Sequence, residues 1–177
     1  MTWTLVSWGL VAMILAGLGV AAVTDLADRI IPNRVVLVVL CCGVGLRLIS
    51  GPWPLLASVA GALVVLAVLS LPASYDLLGW GDVKLIAAVT FAQAADRMIA
   101  LLLAVALAGG LLSCLYLAVR FVLRRMAARV GPAAPEASRG GAVCRLARLE
   151  GARMLANEPM PYAIAVLFGV AYCLATA

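Results

Sequence analysis

Two aspartates in this sequence, Asp25 and Asp82, have the residue type and the setting needed to hydrolyse a peptide bond. Asp25 follows a long apolar run, and Asp82 ends a Gly-Trp-Gly-Asp segment that opens another. Two carboxyl groups about 3 Å apart share one proton, so one can take a proton from water while the other polarises the scissile carbonyl. Whether such a pair forms depends on the elements that carry the two residues.

Other hydrolytic chemistries lack their residues here. The sequence contains no histidine, which excludes Ser-His catalysis, the HExxH zinc site and most transition-metal sites. The five cysteines show no CxxC spacing, and four lie within or at the end of apolar runs, where we expect small buried hydrophobes. We therefore predict no metal and no cofactor. The cysteines are Cys41, Cys42, Cys114, Cys144 and Cys173.

The composition indicates that lipid is the solvent for most of the chain. Hydrophobic residues make up 66% of the 177 residues and charged residues only 12%, far too little polar surface for a soluble domain. The length allows about six helices of roughly 20 residues with short loops. We predict an all-α fold, a polytopic transmembrane bundle of about six spans, in a single membrane-embedded domain covering residues 1–177.

Six apolar runs are the predicted spans, and one basic segment interrupts them. A cleaved signal peptide has basic residues ahead of its apolar run. The first run here has no Lys or Arg ahead of it, so we expect a retained span. An arginine-rich segment at about 120–157 is broken by glycine and proline and predicts a basic cytoplasmic loop against lipid. The apolar runs are 4–23, 35–49, 55–71, 83–95, 98–119 and 161–175.

The distribution of positive charge favours six crossings. With six spans, eleven of the thirteen basic residues lie on one side of the membrane, and only Arg47 and Arg97 lie opposite. If the short run 83–95 did not cross, that asymmetry would be lost. The positive-inside rule then places the basic loops in the cytoplasm and both termini in the periplasm of a bacterial inner membrane. The net charge of +5 is thus predicted to face anionic lipid rather than nucleic acid.

This topology sorts the eight acidic residues. Asp25 and Asp82 leave or open spans on the same, cytoplasmic face, with Asp28 and Asp76 near them but predicted to be solvated. The remaining acids are predicted to pair with arginine or face the periplasm, and they are Asp96, Glu136, Glu150 and Glu158. The simplest alternative for each of the two aspartates is a helix-end acid in headgroup water.

The residues around Asp82 favour close approach of another chain. Gly79 and Gly81 carry no Cβ and permit dihedral angles closed to other residues, so a peptide backbone could pass beside the acid. A lone GxGD is weak support, because glycine is common in membrane helices. Its value rises because Asp25 lies at the corresponding depth on another predicted helix.

These two segments together resemble the motifs of the type IV prepilin peptidases. Asp25 followed by Leu-Ala-Asp-Arg-Ile-Ile-Pro-Asn resembles the family's first motif, and Gly79-Trp80-Gly81-Asp82-Val-Lys resembles its GxGD motif. Motif order, separation and span count also agree, and residues 160–166 resemble the segment that opens the last span in short members. Trp80 departs from the small residue expected there.

The resemblance implies an aspartic endopeptidase that removes the leader of prepilins, and of pseudopilins where these are substrates, at the cytoplasmic face. The likeness is strongest to the short form associated with Flp-type tight-adherence pili. Longer members carry paired CxxC motifs and methylate the new N-terminus; this sequence lacks them, so we expect no N-methyltransferase activity. The implied catalytic residues are Asp25 and Asp82, and the implied substrate-binding residues are Gly79, Trp80, Gly81 and Lys84.

The positions of the two acids on their own helices predict their roles. Asp25 lies at the C-terminal end of its helix and Asp82 near the start of its own, so the helix dipoles favour charge on Asp82. We therefore predict Asp82 as the ionised base and Asp25 as the proton-bearing partner. Lys84 is either a positive-inside anchor or a contact for an acidic residue of the substrate. Pro32 and Asn33 are predicted to end the first loop and start the second span.

Two other functional classes stay open from the residues alone. A small proton-coupled transporter would place its ionisable residues near the bilayer midplane, often on broken helices in related halves, whereas these acids are at the interface and no repeat is visible. A non-enzymatic assembly scaffold remains if the two aspartates do not meet. The oligomeric state is not predicted.

Overall fold

The computed structural model describes residues 2–76, 78–130 and 160–176, and every regular element in those ranges is helical. The all-α prediction is confirmed, and each predicted apolar run corresponds to one helix. A short 3-10 turn, Ala95–Arg97, precedes the fifth helix. The helices are α1 (Thr2–Asp28), α2 (Asn33–Ser50), α3 (Pro52–Ser74), α4 (Trp80–Ala92), α5 (Met98–Val130) and α6 (Ala163–Ala175).

Four helices are long and apolar enough to cross a membrane: α1, α2, α3 and the first part of α5. Helix α6 is a shorter apolar helix. Helix α4 has 13 residues and is therefore about 20 Å long, less than the roughly 30 Å of a hydrocarbon core. The crossing by α4, and with it the orientation of the termini, stays a prediction.

Two predicted boundaries were wrong. Helix α4 ends at Ala92, three residues before the predicted end of its run, because Gln93 and Ala94 adopt extended backbone dihedrals. Helix α5 continues to Val130, so residues 120–130 of the predicted basic loop are helical. There the Arg125 guanidinium lies 4.3 Å from the centre of the Phe121 ring, a cation–π contact one helical turn apart. The rest of that loop lies outside the described residues.

The chain divides into two compact units, Met1–Gly109 with Pro161–Ala177, and Gly110–Met160. In the second unit, the Ser113 hydroxyl donates a hydrogen bond of 3.5 Å to the Met160 sulfur. The first unit contains both aspartate motifs. In it α1 packs on α2 and α6, and α4 packs between α2, α3 and α6.

Helix α4 is at the centre of the first unit. Eight of its 13 residues are buried, from Val83 to Ala92. Small residues bring neighbouring helices close to the core: a Cβ added at Gly43 would lie 3.0 Å from Ala92, and one at Gly169 would lie 2.5 Å from Val105. Without a hydrophobic drive between helices in lipid, such close packing is a main source of association.

The loops fold as local sequence directs. Helix α1 ends where Arg29 adopts a positive φ of 57°, and Ile31 precedes Pro32, which disfavours a helical conformation there. Helix α2 begins at Asn33 with Pro32 at its N-cap, which confirms the predicted start of the second span. At the other end of α2, Gly51 at φ 108° allows the sharp turn into α3.

The cysteine prediction is confirmed in part. Cys42 and Cys173 are buried, whereas Cys41 and Cys114 are exposed on the surface of the chain. Both exposed cysteines lie in helices that are long and apolar enough to cross a membrane, where an apolar side chain can face lipid. Cys144 lies outside the described residues.

Candidate active site

Asp25 is a buried carboxylate held from another helix. It lies in the last turn of α1 and is only 7% exposed. Its Oδ2 accepts a hydrogen bond of 3.0 Å from the main-chain N–H of Ala163, the first residue of α6. Asp25 therefore satisfies one of the free amides that every helix N-terminus presents.

The N-terminus of α6 has no cap from its own N-cap side chain, Tyr162. The carboxylate of Asp25, 138 residues away in sequence, takes the place of that cap. The positive end of the α6 dipole and a donated N–H both favour negative charge on the acceptor. Because an amide N–H can only donate, any proton on Asp25 must lie on its other oxygen.

Asp82 lies in the first turn of α4, just ahead of Val83, where the buried apolar part of that helix begins. It is half-buried, and among the described residues its buried Oδ1 has no hydrogen-bond partner. Burial first, and the charge of Asp25 second, raise the pKa of Asp82 to about 7. The charge of Asp25 therefore acts on Asp82 electrostatically.

The two glycines of the GxGD segment provide space rather than unusual dihedrals. Gly79 has an ordinary φ of −67° and Gly81 is helical, so neither uses the dihedral freedom that glycine permits. A Cβ at Gly79 would lie 3.0 Å from Asp82 Oδ2, and one at Gly81 would lie 3.3 Å from the Cβ of Ile31. Gly79 thus leaves room for the carboxylate, and Gly81 lets the two motifs pack on each other.

The surroundings of the two acids reverse the order of roles predicted from their own helices. The dipole of α1 disfavours charge on Asp25, but Asp25 makes its hydrogen bond to the opposite, positive end of α6. Asp82 does lie at the positive end of α4, yet burial and the neighbouring acid raise its pKa instead. The arrangement favours an ionised Asp25 and a protonated Asp82.

The other residues predicted to bind substrate surround the start of α4. Trp80 is 53% exposed, and Lys84 is exposed two residues beyond Asp82. Lys84 also lines an apolar groove of about 330 Å³ along α2, α3 and α4, called here the Lys84 groove. Its other lining residues include Val36, Leu40, Leu63, Leu66, Ala87 and Phe91.

The other aspartates that the structure describes are exposed. Asp28, Asp76 and Asp96 are exposed, and the three glutamates Glu136, Glu150 and Glu158 lie outside the described residues. Within the described ranges, no group of three or more His, Cys, Asp or Glu side chains could hold a metal ion. The carboxyl pair is the chemistry that the described site offers.

Sequence reasoning missed the contributions of Ala163, Tyr162 and Ile31. A main-chain N–H carries no residue-type signal, so Ala163 could not be singled out. The half-buried Tyr162 precedes it, and the charge of Asp82 adds to burial in raising the pKa of Tyr162. The resemblance did mark residues 160–166, and that was the available signal for this segment.

Comparison with known proteins identifies the family of the chain. The model of the type IV leader peptidase family matches residues 12–114, a range that contains both Asp25 and Asp82. Neither the curated proteins nor the solved structures contain a match. With its long apolar helices, the chain is a multi-pass membrane protein. Because the match covers more than half of the 177 residues, this chain belongs to the type IV leader peptidase family.

Proposed function

We propose that this chain is a membrane aspartic endopeptidase that removes the leader peptide of Flp-type prepilins, with Asp25 and Asp82 as its catalytic pair. The observation that carries the proposal is the electrostatic interaction between the buried Asp25 and the half-buried Asp82, which lie on separate helices. One of them is held by a main-chain amide. The family match supports a leader peptidase.

The proposed reaction follows from the two environments. Asp25, ionised beside the Ala163 N–H, takes a proton from water as the water oxygen bonds to the scissile carbonyl carbon. Asp82 gives its proton to the carbonyl oxygen, and a tetrahedral intermediate forms. Asp25 then passes its proton to the amine nitrogen, the C–N bond breaks, and the hydroxyl returns a proton to Asp82. Neither metal nor covalent intermediate is required.

The substrate is proposed to lie across the start of α4. Gly79 and Trp80 are exposed there, just ahead of Asp82. The Lys84 groove suits an apolar segment of the prepilin, since its lining is apolar apart from one lysine. The Lys84 ammonium would then meet an acidic residue of the substrate. Pseudopilins of the same chemistry would also fit.

The location and the product complete the proposal. Cleavage takes place at the cytoplasmic face of the bacterial inner membrane, where the predicted topology puts both motifs. The product carries a free amine, because the chain lacks the CxxC pairs associated with methyl transfer in longer members of the family.

The test is co-expression with the pilin encoded nearby, followed by the prepilin to pilin ratio in membranes. We expect Asp25→Asn and Asp82→Asn each to abolish cleavage, because asparagine keeps the shape and removes only the acid-base capacity. Two groups acting as one unit lose activity non-additively, so the double variant should be no worse than either single variant. Mass spectrometry of the wild-type product should find an unmethylated N-terminus.

Asp28→Asn and Asp76→Asn are the matched controls, since both acids are exposed near the motifs. Each should retain most of the cleavage at equal enzyme abundance. Substantial cleavage by either Asp25→Asn or Asp82→Asn would refute the carboxyl-pair mechanism.

A further inference from the structure

The hydrogen bond to the Asp25 carboxylate comes from the main-chain N–H of Ala163, so its direction depends on the backbone conformation before α6. The Ala163 N–H points at Asp25 Oδ2 only while the turn before α6 keeps its conformation. Tyr162 occupies the N-cap position of that turn, with φ −80° and ψ −22°. Whatever fixes Tyr162 therefore fixes the direction of the amide donor.

The Tyr162 ring packs against Gly109 in α5. A Cβ added at Gly109 would lie 2.7 Å from Tyr162 Cε2, 2.8 Å from its hydroxyl oxygen and 2.9 Å from Cζ. Real Cβ atoms do not approach so closely, so any larger residue would push the ring away. At the adjacent Gly110, a Cβ would meet no atom of the described residues within 4 Å.

Tyr162 also interacts with Asp82, the second aspartate of the pair. Its ring packs against the buried core, and its phenol is within electrostatic reach of Asp82. Tyr162 is therefore linked to both aspartates. The amide of the next residue donates to Asp25, and the charge of Asp82 acts on the Tyr162 phenol. Neither aspartate motif contains it or Gly109.

We propose that Gly109 and Tyr162 position the Asp25 carboxylate. The absence of a side chain at Gly109 lets the Tyr162 ring pack against α5, and the packed ring orients the Ala163 N–H toward Asp25. The inference rests on the proposed function and names two positioning residues for the same site. Tyr162 acts through the main-chain amide and is not itself a catalytic residue.

The experiment compares Gly109→Ala with Gly110→Ala in full-length enzyme purified in detergent, using a prepilin as substrate. Both changes add one methyl group to the same helix and raise its helix propensity equally, but only the first strikes the Tyr162 ring. A misdirected hydrogen bond to a charged group lowers the rate by roughly tenfold to a hundredfold. We expect that loss in kcat for Gly109→Ala, with KM unchanged, and wild-type kinetics for Gly110→Ala.

The pH profile separates positioning from simple destabilisation. Weakening the amide bond removes a stabilisation of the charged Asp25, so the acid limb of the Gly109→Ala profile should move to higher pH. A merely unstable enzyme would lose amplitude with an unchanged profile. The ionisable groups near Asp25 include Asp82 on α4, whose pKa responds to the charge of Asp25, and Tyr162, which precedes Ala163 in sequence. Arg29 is one turn further along the chain, and its main-chain N–H donates to the Asp25 carbonyl oxygen.

A second pair of variants covers the case in which Gly109→Ala does not fold. Tyr162→Phe keeps the ring that packs against Gly109, and Tyr162→Leu removes it, so Tyr162→Phe should retain the higher kcat. In the Tyr162→Leu background, Gly109→Ala should cause no further loss, because the ring it strikes is gone.

Three results would overturn the inference: wild-type kcat and profile in Gly109→Ala, equal losses in Gly109→Ala and Gly110→Ala, or equal kcat in Tyr162→Phe and Tyr162→Leu. Failure of the proposed function looks different. In that case Asp25→Asn itself would still cleave, whatever the glycine variants do.

Discussion

The two carboxyl groups of the candidate site lie in opposite kinds of surroundings. Asp25 is almost fully buried, yet its Oδ2 accepts a hydrogen bond of 3.0 Å from the N-terminus of α6. Asp82 is half-buried, and its Oδ1 has no hydrogen-bond partner among the described residues. Asp25, the more buried acid, is therefore better stabilised as an anion than Asp82, because the Ala163 N–H donates a hydrogen bond to it.

This difference explains how one proton can be kept on one side of a pair. Two like carboxyl groups cannot both ionise at close range, so one must hold the proton. In the proposed mechanism, the amide at Asp25 and the buried oxygen at Asp82 assign the proton to Asp82. The asymmetry comes from α6, a helix that carries neither aspartate.

The largest effect we expect from this asymmetry is in the pH dependence of cleavage. Burial and Asp25 raise the pKa of Asp82 to about 7, so Asp82 holds its proton below that pH and loses it above. The proton needed by the scissile carbonyl then disappears as pH rises, and kcat/KM should fall about tenfold per pH unit above 7, or roughly a hundredfold by pH 9. The pair titrates as a unit, so the limb belongs to both groups.

That limb is measured with purified enzyme and a prepilin across pH 5 to 9, with enzyme integrity checked at each pH. Activity that still rises through pH 8 would contradict a protonated Asp82. Gly79→Ala sharpens the comparison, since it disturbs Asp82 and should move the alkaline limb, whereas Gly109→Ala should move the acid limb.

A smaller effect separates the two glycines of the GxGD segment. Gly79→Ala places a Cβ 3.0 Å from Asp82 Oδ2 and must displace the carboxylate, whereas Gly81→Ala presses on Ile31 at 3.3 Å. We expect about a tenfold loss of kcat for Gly79→Ala, the cost of roughly one misplaced hydrogen-bonding group, and a lesser loss for Gly81→Ala.

The matched control is Gly19→Ala in α1, where an added Cβ meets nothing within 4 Å. Its kcat in the same cleavage assay should equal that of wild type. A Gly79→Ala enzyme as active as Gly19→Ala would mean that the Asp82 carboxylate does not need the space beside Gly79.

The smallest effect is expected at Lys84. Because Lys84 is exposed two residues beyond Asp82, Lys84→Met should remove one solvated charge contact to the substrate, worth about a threefold rise in KM at low salt. The kcat should be unchanged, and the rise should shrink as salt increases. A loss of kcat with constant KM would instead place Lys84 in the chemistry.

The helices and the two motifs could be predicted from the sequence because their signals are local. Each apolar run corresponds to a helix of the structure, since hydropathy over one span reports burial in lipid or core directly. Pro32 and the glycine at 51 mark loops because their backbone restrictions act within one or two residues. The ends of α4 and α5 were misjudged, since a run of apolar residues can stop before or after the helix that contains it.

The order of the two acids was decided only by the tertiary structure. From the sequence, each aspartate could be weighed against its own helix alone, which gave Asp25 the proton. The folded chain brings the N-terminus of α6 to Asp25 across 138 residues, and a main-chain N–H has no sequence signature.

The reason for each glycine was likewise invisible in the sequence. Gly79, Gly81 and Gly109 each leave room for a named side chain, and two of those three side chains come from other parts of the chain. Residue type and hydropathy determined which helices form and which acids they carry. The close approach of those helices determined which acid is held as an anion, because hydrogen bonding and burial act through space and not along the chain.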